Sequence, residues 1–284
     1  MLTVAVSLTA CSWRLETDPE PFRSPSEITV LRDNIAALEQ AVGTAADLAT
    51  GPQADAEAAA VPSRLELLAG VSPTSSPRAA ADLAAAAAEA QAAAVDCMVA
   101  AGDDPLAALC ASIALSHAAI AGTADPDSAP GTVVDGGTEP GSDSVLDRDE
   151  IAVLALEHDK LRSLYEVAAA RSKGAEREQA LAASVIERER VETLLAVPGV
   201  PDLTEPVYDV PAASVAKKAA RAETVLAARK ALAERYAALL VGADVVDRGW
   251  LLNAAYENYV AAGRVGLTAS EVPALPGTKP AAAD

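Results

Sequence analysis

The stretch IAVLALEHDKLRSLYEVAAA, residues 151–170, decides the fold of the second half of the chain. Its apolar residues recur at the spacing of an α-helix, so one face is suited to burial and the opposite face to solvent. The first face carries Ile151, Leu154, Ala155, His158, Leu161, Tyr165, Ala168 and Ala169, and the second carries Asp159, Lys160, Arg162 and Ser163. Because a helix of this kind is stabilised mainly by partners that cover its apolar face, the stretch predicts a helical bundle.

Three further amphipathic segments can supply those partners. They cover residues 175–196, 213–241 and 245–262, and a Pro-rich crossing separates the first two. The first of them is expected to face inward with Leu181, Val185, Val191, Leu194 and Leu195. Ser144 and Asp147 resemble a capping box ahead of residue 151. Residues 144–266 are therefore predicted to form an antiparallel four-helix bundle.

The first half of the chain also has a helical composition. Hydrophobic residues make up 51% of the chain but aromatic residues only 3%, and much of the hydrophobic share is alanine, the best helix former. Helices are predicted at 26–49, 55–68, 78–101 and 105–122, with an interruption at Pro62. No segment shows convincing strand alternation. The predicted fold class is all-α, with a helical unit at 26–122 ahead of the bundle.

Two segments lack the residues that build a core. Residues 123–143, TADPDSAPGTVVDGGTEPGSD, concentrate Pro, Gly, Asp, Ser and Thr, which predicts a disordered linker. Residues 267–284 are also poor in core-forming side chains. They are predicted to form a flexible tail.

The N-terminus looks like the leader of a bacterial lipoprotein. Residues 1–11 form a short apolar run that ends in Leu8-Thr9-Ala10-Cys11, the pattern of a lipobox, whose cysteine receives a covalent lipid such as palmitate. The run is too short to cross a bilayer and lacks a basic start, so we expect part of the signal peptide to precede Met1. The alternative is a fortuitous apolar terminus with a buried Cys11. The polar, Pro-bearing residues 12–25 predict a flexible tether.

The charge of the chain excludes one class of partner. Its 22 Lys and Arg face 41 Asp and Glu, which gives a formal net charge of −19. A nucleic-acid partner is not expected, because its phosphates require a basic face. Anionic lipid headgroups would also be repelled, so attachment to a membrane must depend on the lipid at Cys11.

Four short patterns run through residues 144–266. They are Leu156-Glu157-His158 with Tyr165, Glu187-Arg188-x-Arg190-x-Glu192, Glu223 with Tyr236-Ala-Ala-Leu-Leu, and Arg248 with Trp250-Leu-Leu. These patterns resemble the ferritin-like domain of a family of actinobacterial lipoproteins of unassigned activity, with a looser match over 26–122. The resemblance implies a ferritin-like bundle. Glu187 departs from the family pattern, which favours a basic residue or histidine there, and Tyr259 stands where the family tends to have Trp.

The histidines bear on whether the bundle holds metal. A di-iron site of the ferritin-like kind takes a Glu from each of two helices and Glu-x-x-His from each of two others. The chain has only His117 and His158, and alanine stands three residues before each. We therefore expect no metal cofactor and no catalytic residue, and we expect His117 at the surface or an interface. The weaker alternative is a partial site of Glu157, His158, Glu192 and Glu223, whose carboxylates nearby arginines would otherwise neutralise.

Cys97 and Cys110 flank the predicted turn at Asp103-Asp104 at equal distances. In an antiparallel hairpin they would lie at the same height, and an extracytoplasmic location permits oxidation. The sequence leaves open both a Cys97–Cys110 disulfide and two free cysteines packed in a core.

The anchor, the missing catalytic set and the Ala-rich helix faces favour an interaction protein. We expect a lipid-anchored accessory subunit on the extracytoplasmic side of the cell membrane, docked onto an integral membrane protein complex, with a respiratory complex as one partner class. The alternative is a ferritin-like metal-binding or redox protein with a non-standard site. The sequence has no Ser nucleophile motif, phosphate-binding Gly loop or Cys/His metal spacing, so no enzymatic activity is expected.

Overall fold

Every regular element in the part of the chain that the structure describes is helical. A computed structural model describes residues 25–68, 82–129 and 131–278. The helices are α1 (Pro25–Leu48), α2 (Pro52–Leu68), α3 (Leu83–Ala101), α4 (Pro105–Ala124), α5 (Arg148–Ala170), α6 (Gly174–Leu195), α7 (Ala212–Ala216), α8 (Lys218–Gly242) and α9 (Val245–Arg264), followed by a 3-10 turn at Ala269–Glu271. The all-α prediction is confirmed. The predicted leader, Cys11 and nearly all of the tether lie outside the described residues.

Local capping signals fix where several helices begin. Asp82 accepts a hydrogen bond from the Ala85 N–H at 2.7 Å ahead of α3, and Asp104 accepts one from Leu106 at 2.8 Å ahead of α4. Asp244 has the same role at α9. These carboxylates satisfy backbone donors that the first helical turn leaves unpaired.

Two helices differ from their predicted course. α2 continues through Pro62, because Val61 and Arg64 on either side are buried and hold the helix in place. The predicted helix at 213–241 is instead divided at Lys217, whose extended backbone (φ −116°, ψ 154°) separates α7 from α8. In α2, packing outweighs the tendency of proline to end a helix. Between α7 and α8, the helix breaks at a residue that is neither proline nor glycine.

α4 is the central helix of the fold. It packs on α3 and α2 on one side and on α8 and α9 on the other, and most of its residues are buried. One continuous core therefore includes residues of both predicted helical units. α3 and α4 also have the length and composition of membrane spans, and 33% of the α3 window and 83% of the α4 window are buried inside the protein.

The second half of the chain is an open arrangement of helices. α6 packs chiefly on α5, whereas α8 and α9 pack on each other and against α4. α6 buries Ser184, Glu187, Val191 and Leu194. Leu181 and Val185, which were predicted to face inward, are exposed instead. The helix is rotated because Glu187 takes part in a buried ion pair.

Residues 123–143 differ from the predicted disordered linker. The buried side chain of Asn253 on α9 accepts hydrogen bonds from the N–H groups of Val133 at 2.9 Å and Val134 at 3.1 Å, and it donates to the Gly137 carbonyl at 3.1 Å. Arg190 on α6 donates to the Thr138 carbonyl at 2.7 Å. Side chains of the helices thus bind the backbone of a segment that has little of its own to bury.

The predicted flexible tail differs in the same way over residues 267–278. Leu267, Ala269 and Val272 are buried, and the turn that contains Ala269 packs on α2 and α4. Gly277 has a φ of +82° and passes so close to α8 that a Cβ there would lie 2.1 Å from the Ala237 carbonyl oxygen. Glycine is required at this position by both its backbone conformation and the lack of space.

Candidate functional site

A first group of charged side chains is buried among α1, α2 and α4. Its members, termed the His117 network, are Glu39, Glu57, Arg64, Ser116 and His117. His117 Nε2 lies 2.7 Å from Glu39 Oε1, and Nδ1 lies 2.9 Å from Glu57 Oε1. Because His117 is 1% exposed, its predicted place at the surface was wrong. Carboxylates from two other helices compensate its burial.

The partners of His117 determine its protonation. Each ring nitrogen lies beside a carboxylate oxygen, which only accepts hydrogen bonds, and Arg64 Nη1 also lies 3.2 Å from Nδ1 and 3.1 Å from Nε2. The shorter contacts to the carboxylates favour a proton on both nitrogens. Burial and then Arg64 act to lower the pKa of His117, but Glu39 and Glu57 outweigh them and raise it. Burial acts to raise the pKa of each glutamate, yet His117 and Arg64 together lower it. Two anions and two cations then leave the network with no net charge.

Arg64 connects the His117 network to the C-terminal segment. Its guanidinium donates to Glu57 Oε2 at 2.8 Å, to Glu39 Oε2 at 3.2 Å and to Ser116 Oγ at 2.7 Å. Its Nε donates to the Ala274 carbonyl at 3.2 Å. Residues 267–278 therefore cover the network and satisfy one of its donors.

A second buried group lies among α5, α6, α8 and α9. Its members, termed the His158 network, are His158, Tyr165, Glu187, Arg229, Tyr236 and Asn258. His158 Nδ1 lies 2.7 Å from Glu187 Oε2, and Nε2 lies 2.9 Å from the Tyr236 hydroxyl. Arg229 forms an ion pair with Glu187 and donates to Tyr165 and Asn258. Each of the four helices contributes at least one polar group to this network.

His158 is neutral. Burial is the largest influence that lowers the pKa of His158, and with Arg190 and Arg229 it outweighs the raising effect of Glu187. Nδ1–H then donates to Glu187, and Nε2 accepts from the Tyr236 hydroxyl, whose own pKa is raised by burial. Burial acts to raise the pKa of Glu187, but the hydrogen bond from His158 and the charge of Arg229 lower it, so the carboxylate is ionised.

The predicted partial site is not assembled. Of its four residues only His158 is buried, while Glu157 pairs with Lys160 at 3.1 Å and both Glu192 and Glu223 are exposed. The carboxylate beside His158 is Glu187. Within the described residues, no group of three or more His, Cys, Asp or Glu is arranged to hold a metal ion. Sequence reasoning missed Glu187, because apolar spacing assigns a carboxylate to the exposed face of a helix.

Cys97 of α3 and Cys110 of α4 are joined in the structure. Their Sγ atoms are 2.14 Å apart and their Cα atoms 5.9 Å apart. Both side chains are buried in the main core. The disulfide closes the α3–α4 hairpin beside the central helix.

An open cleft of about 660 Å³ lies over the outer side of the His158 network. α5, α6 and α8 line most of it, and Pro126, Asp127 and the end of α9 complete it. Tyr165 and Arg229 reach it from the network. A molecule in the cleft would therefore contact the phenol and the guanidinium but not His158, which lies behind them.

No family model, no curated protein and no solved structure matches this chain.

Proposed function

We propose that this protein is a lipid-anchored accessory subunit on the extracytoplasmic face of the cell membrane. In this proposal Cys11 carries the lipid, residues 144–266 form a ferritin-like bundle similar to that of the actinobacterial lipoproteins, and the partner is an integral membrane protein complex, with a respiratory complex as one class. The protein acts by binding and catalyses no reaction.

The outer face of α6 is the observation that carries this proposal. Leu181, Val185 and Ile186 are 41%, 39% and 52% exposed, although the chain as a whole is strongly acidic. The first two lie one helical turn apart, so their side chains form a short apolar stripe. A stripe of this kind on a helix with few other partners favours docking against another protein.

The two buried networks also support a binding role. Each ring nitrogen of His117 and His158 already has a hydrogen-bond partner inside the protein. Each buried glutamate is held by an arginine. Groups that are paired in this way stabilise the fold and are not free to accept a proton from a substrate.

The experiment is purification of the tagged, full-length protein from mildly solubilised membranes, with identification of the proteins that co-elute. We expect an integral membrane complex, and we expect Leu181→Glu with Val185→Glu to lose it. The matched control is Leu203→Glu with Val207→Glu, since Leu203 and Val207 are also exposed apolar residues but belong to the segment between α6 and α7. Circular dichroism checks that both double variants fold.

Three results would contradict the proposal. The first is the absence of any membrane complex in the eluate, and the second is retention of the complex by the α6 double variant. The third is a Cys11→Ser variant that remains in the membrane fraction. Stoichiometric iron, zinc or manganese in the purified protein would support the metal-binding alternative instead.

A further inference from the structure

The cleft beside the His158 network has the form of a slot between α6 and α8. Ion pairs join the two helices at two levels, Glu176 with Arg221 at 2.7 Å and Glu187 with Arg229. Between these levels the slot is lined mainly by small and apolar side chains. They are Ala168, Ala180, Ala183, Ala222 and Val225.

The slot follows the length of α8 over several helical turns. On α8 its lining extends from Lys218 to Arg229, which at the rise of an α-helix corresponds to about 16 Å. Alanines on both sides leave open space where larger residues would close the gap between the helices. Its length and its volume of about 660 Å³ suit one extended apolar chain.

Cations outnumber carboxylates along the slot. Its lining includes Lys218, Arg221, Arg229 and Arg264 but only two carboxylates, Asp127 and Glu176, in a chain whose net charge is −19. Arg221 and Arg229 are paired, and Arg264 donates to the Pro126 carbonyl at 3.1 Å. Lys218 is close enough to Glu176 for their charges to interact, but no carboxylate among the described residues forms an ion pair with Lys218 or Arg264.

Lys218 and Arg264 lie toward the same end of the slot. Arg229 of α8 bonds Asn258 of α9, so these two residues are at one level. The two helices are antiparallel neighbours, because only Ala243 and Asp244 connect them. Lys218 precedes Arg229 on α8, and Arg264 follows Asn258 on α9. Because the two helices are antiparallel, Lys218 and Arg264 are displaced in the same direction from the Arg229–Asn258 contact.

We propose that this slot binds a long-chain fatty acid. The carboxylate lies at the end that carries Lys218 and Arg264, two exposed cations that have no ion-pair partner in the described part of the chain and so attract an anion. The acyl chain lies along the alanines and Val225 and ends near Tyr165. This binding site is independent of the proposed docking function, because it requires neither the lipid at Cys11 nor a protein partner.

The test is a fluorescence titration of the purified full-length protein with dansyl-undecanoic acid, followed by displacement with palmitic acid. Ala183→Phe fills the slot and should weaken binding of the probe by about tenfold or more. Its matched control is Ala182→Phe on the exposed side of the same helix, which should bind as the wild type does. Lys218→Ala with Arg264→Ala should also weaken binding, while Lys160→Ala with Arg188→Ala should not.

Several outcomes would overturn the proposal. They are a lack of saturable probe binding, equal binding by the Ala183→Phe and Ala182→Phe variants, and equal displacement by palmitic acid and its uncharged methyl ester. Stronger displacement by a lysophospholipid than by palmitic acid would assign the slot to a different ligand. The Lys218 and Arg264 substitutions are at exposed positions, so they test the head-group end even if the Ala183→Phe variant fails to fold.

Discussion

Replacing Arg64 with methionine tests whether the His117 network is a charge-balanced unit. Arg64 donates to Glu39, Glu57 and Ser116 and to the Ala274 carbonyl, and its side chain is fully buried. Methionine fills much of the same volume but removes the charge and all of these donors. The network would then hold two carboxylates and one imidazolium, and so one uncompensated buried negative charge.

The expected loss follows from that buried charge. Removing one partner of a buried ion pair typically costs about 3–5 kcal/mol in the free energy of unfolding. Arg188→Met is the control, because Arg188 is exposed and lies 3.9 Å from Glu192. An exposed pair of this kind contributes about 0–1 kcal/mol. Guanidinium denaturation at pH 7, followed by circular dichroism, measures both losses.

A double variant separates charge balance from packing. Arg64→Met with Glu39→Gln removes one cation and one anion, so the network is neutral again. We expect this variant to lose less stability than the sum of the two single losses, by about 0.5–3 kcal/mol. Strict additivity, or an Arg64→Met loss no larger than that of Arg188→Met, would refute the reasoning.

Three further predictions concern a titration, a covalent bond and a close backbone contact. The pKa of His117 is raised in the folded protein. The stability that His117 adds is therefore complete below the ordinary histidine pKa and is lost as the pH rises through the pKa of His117 in the folded protein. Over that pH range, the difference in the free energy of unfolding between wild type and His117→Gln should become smaller. Reducing Cys97–Cys110, which are 13 residues apart, should lower the free energy of unfolding by about 3 kcal/mol in denaturation with and without dithiothreitol. Gly277→Ala should speed hydrogen exchange in residues 267–278, whereas Gly242→Ala, with nothing within 4 Å of the new Cβ, should not.

Each of these predictions has a contradicting result. A difference between wild type and His117→Gln that does not change with pH would show that His117 is not held as the cation. Equal unfolding of the oxidised and reduced protein would show that the Cys97–Cys110 bond adds no stability. Unchanged exchange in Gly277→Ala would show that the segment does not depend on its approach to α8.

The helices could be predicted because their signals are local. Asp104-Pro105 and Asp244 mark helix starts through hydrogen bonds that span two residues. Alanine composition and apolar spacing account for the rest of the helical assignment. None of these features depends on the position of a distant residue, so the sequence carried enough information for the fold class.

The face that α6 buries could not be predicted in this way. Apolar spacing favoured Leu181 and Val185, but Arg229, 42 residues beyond Glu187, forms an ion pair that turns Glu187 inward. Hydrophobic periodicity considers only the apolar residues of one helix. It cannot show that a carboxylate is buried because a cation on another helix compensates its charge. The exposed apolar stripe of α6 follows from the same rotation.

Contacts of the described residues in the predicted linker and tail were not foreseen for a related reason. Composition indicates how much apolar surface a segment can bury, and residues 123–143 have little. The structure instead holds this segment and residues 267–278 through their carbonyl and N–H groups, which accept from or donate to Asn253, Ser112 and Arg64. Every residue carries these backbone groups whatever its side chain, so the sequence of the segment does not indicate which side chains of the helices will bind them.

The two histidines show how one residue type acquires opposite charge states in one core. His117 makes its shortest contacts with two carboxylates, neither of which can donate, and this favours a proton on both ring nitrogens despite the nearby Arg64. His158 faces one carboxylate and one hydroxyl, and because the hydroxyl can donate, the ring satisfies both partners while neutral. Acidification therefore acts on them in opposite ways. The lowered pKa of His158 means that its part of the stability falls as the pH drops below the ordinary histidine value, where the contribution of His117 is complete.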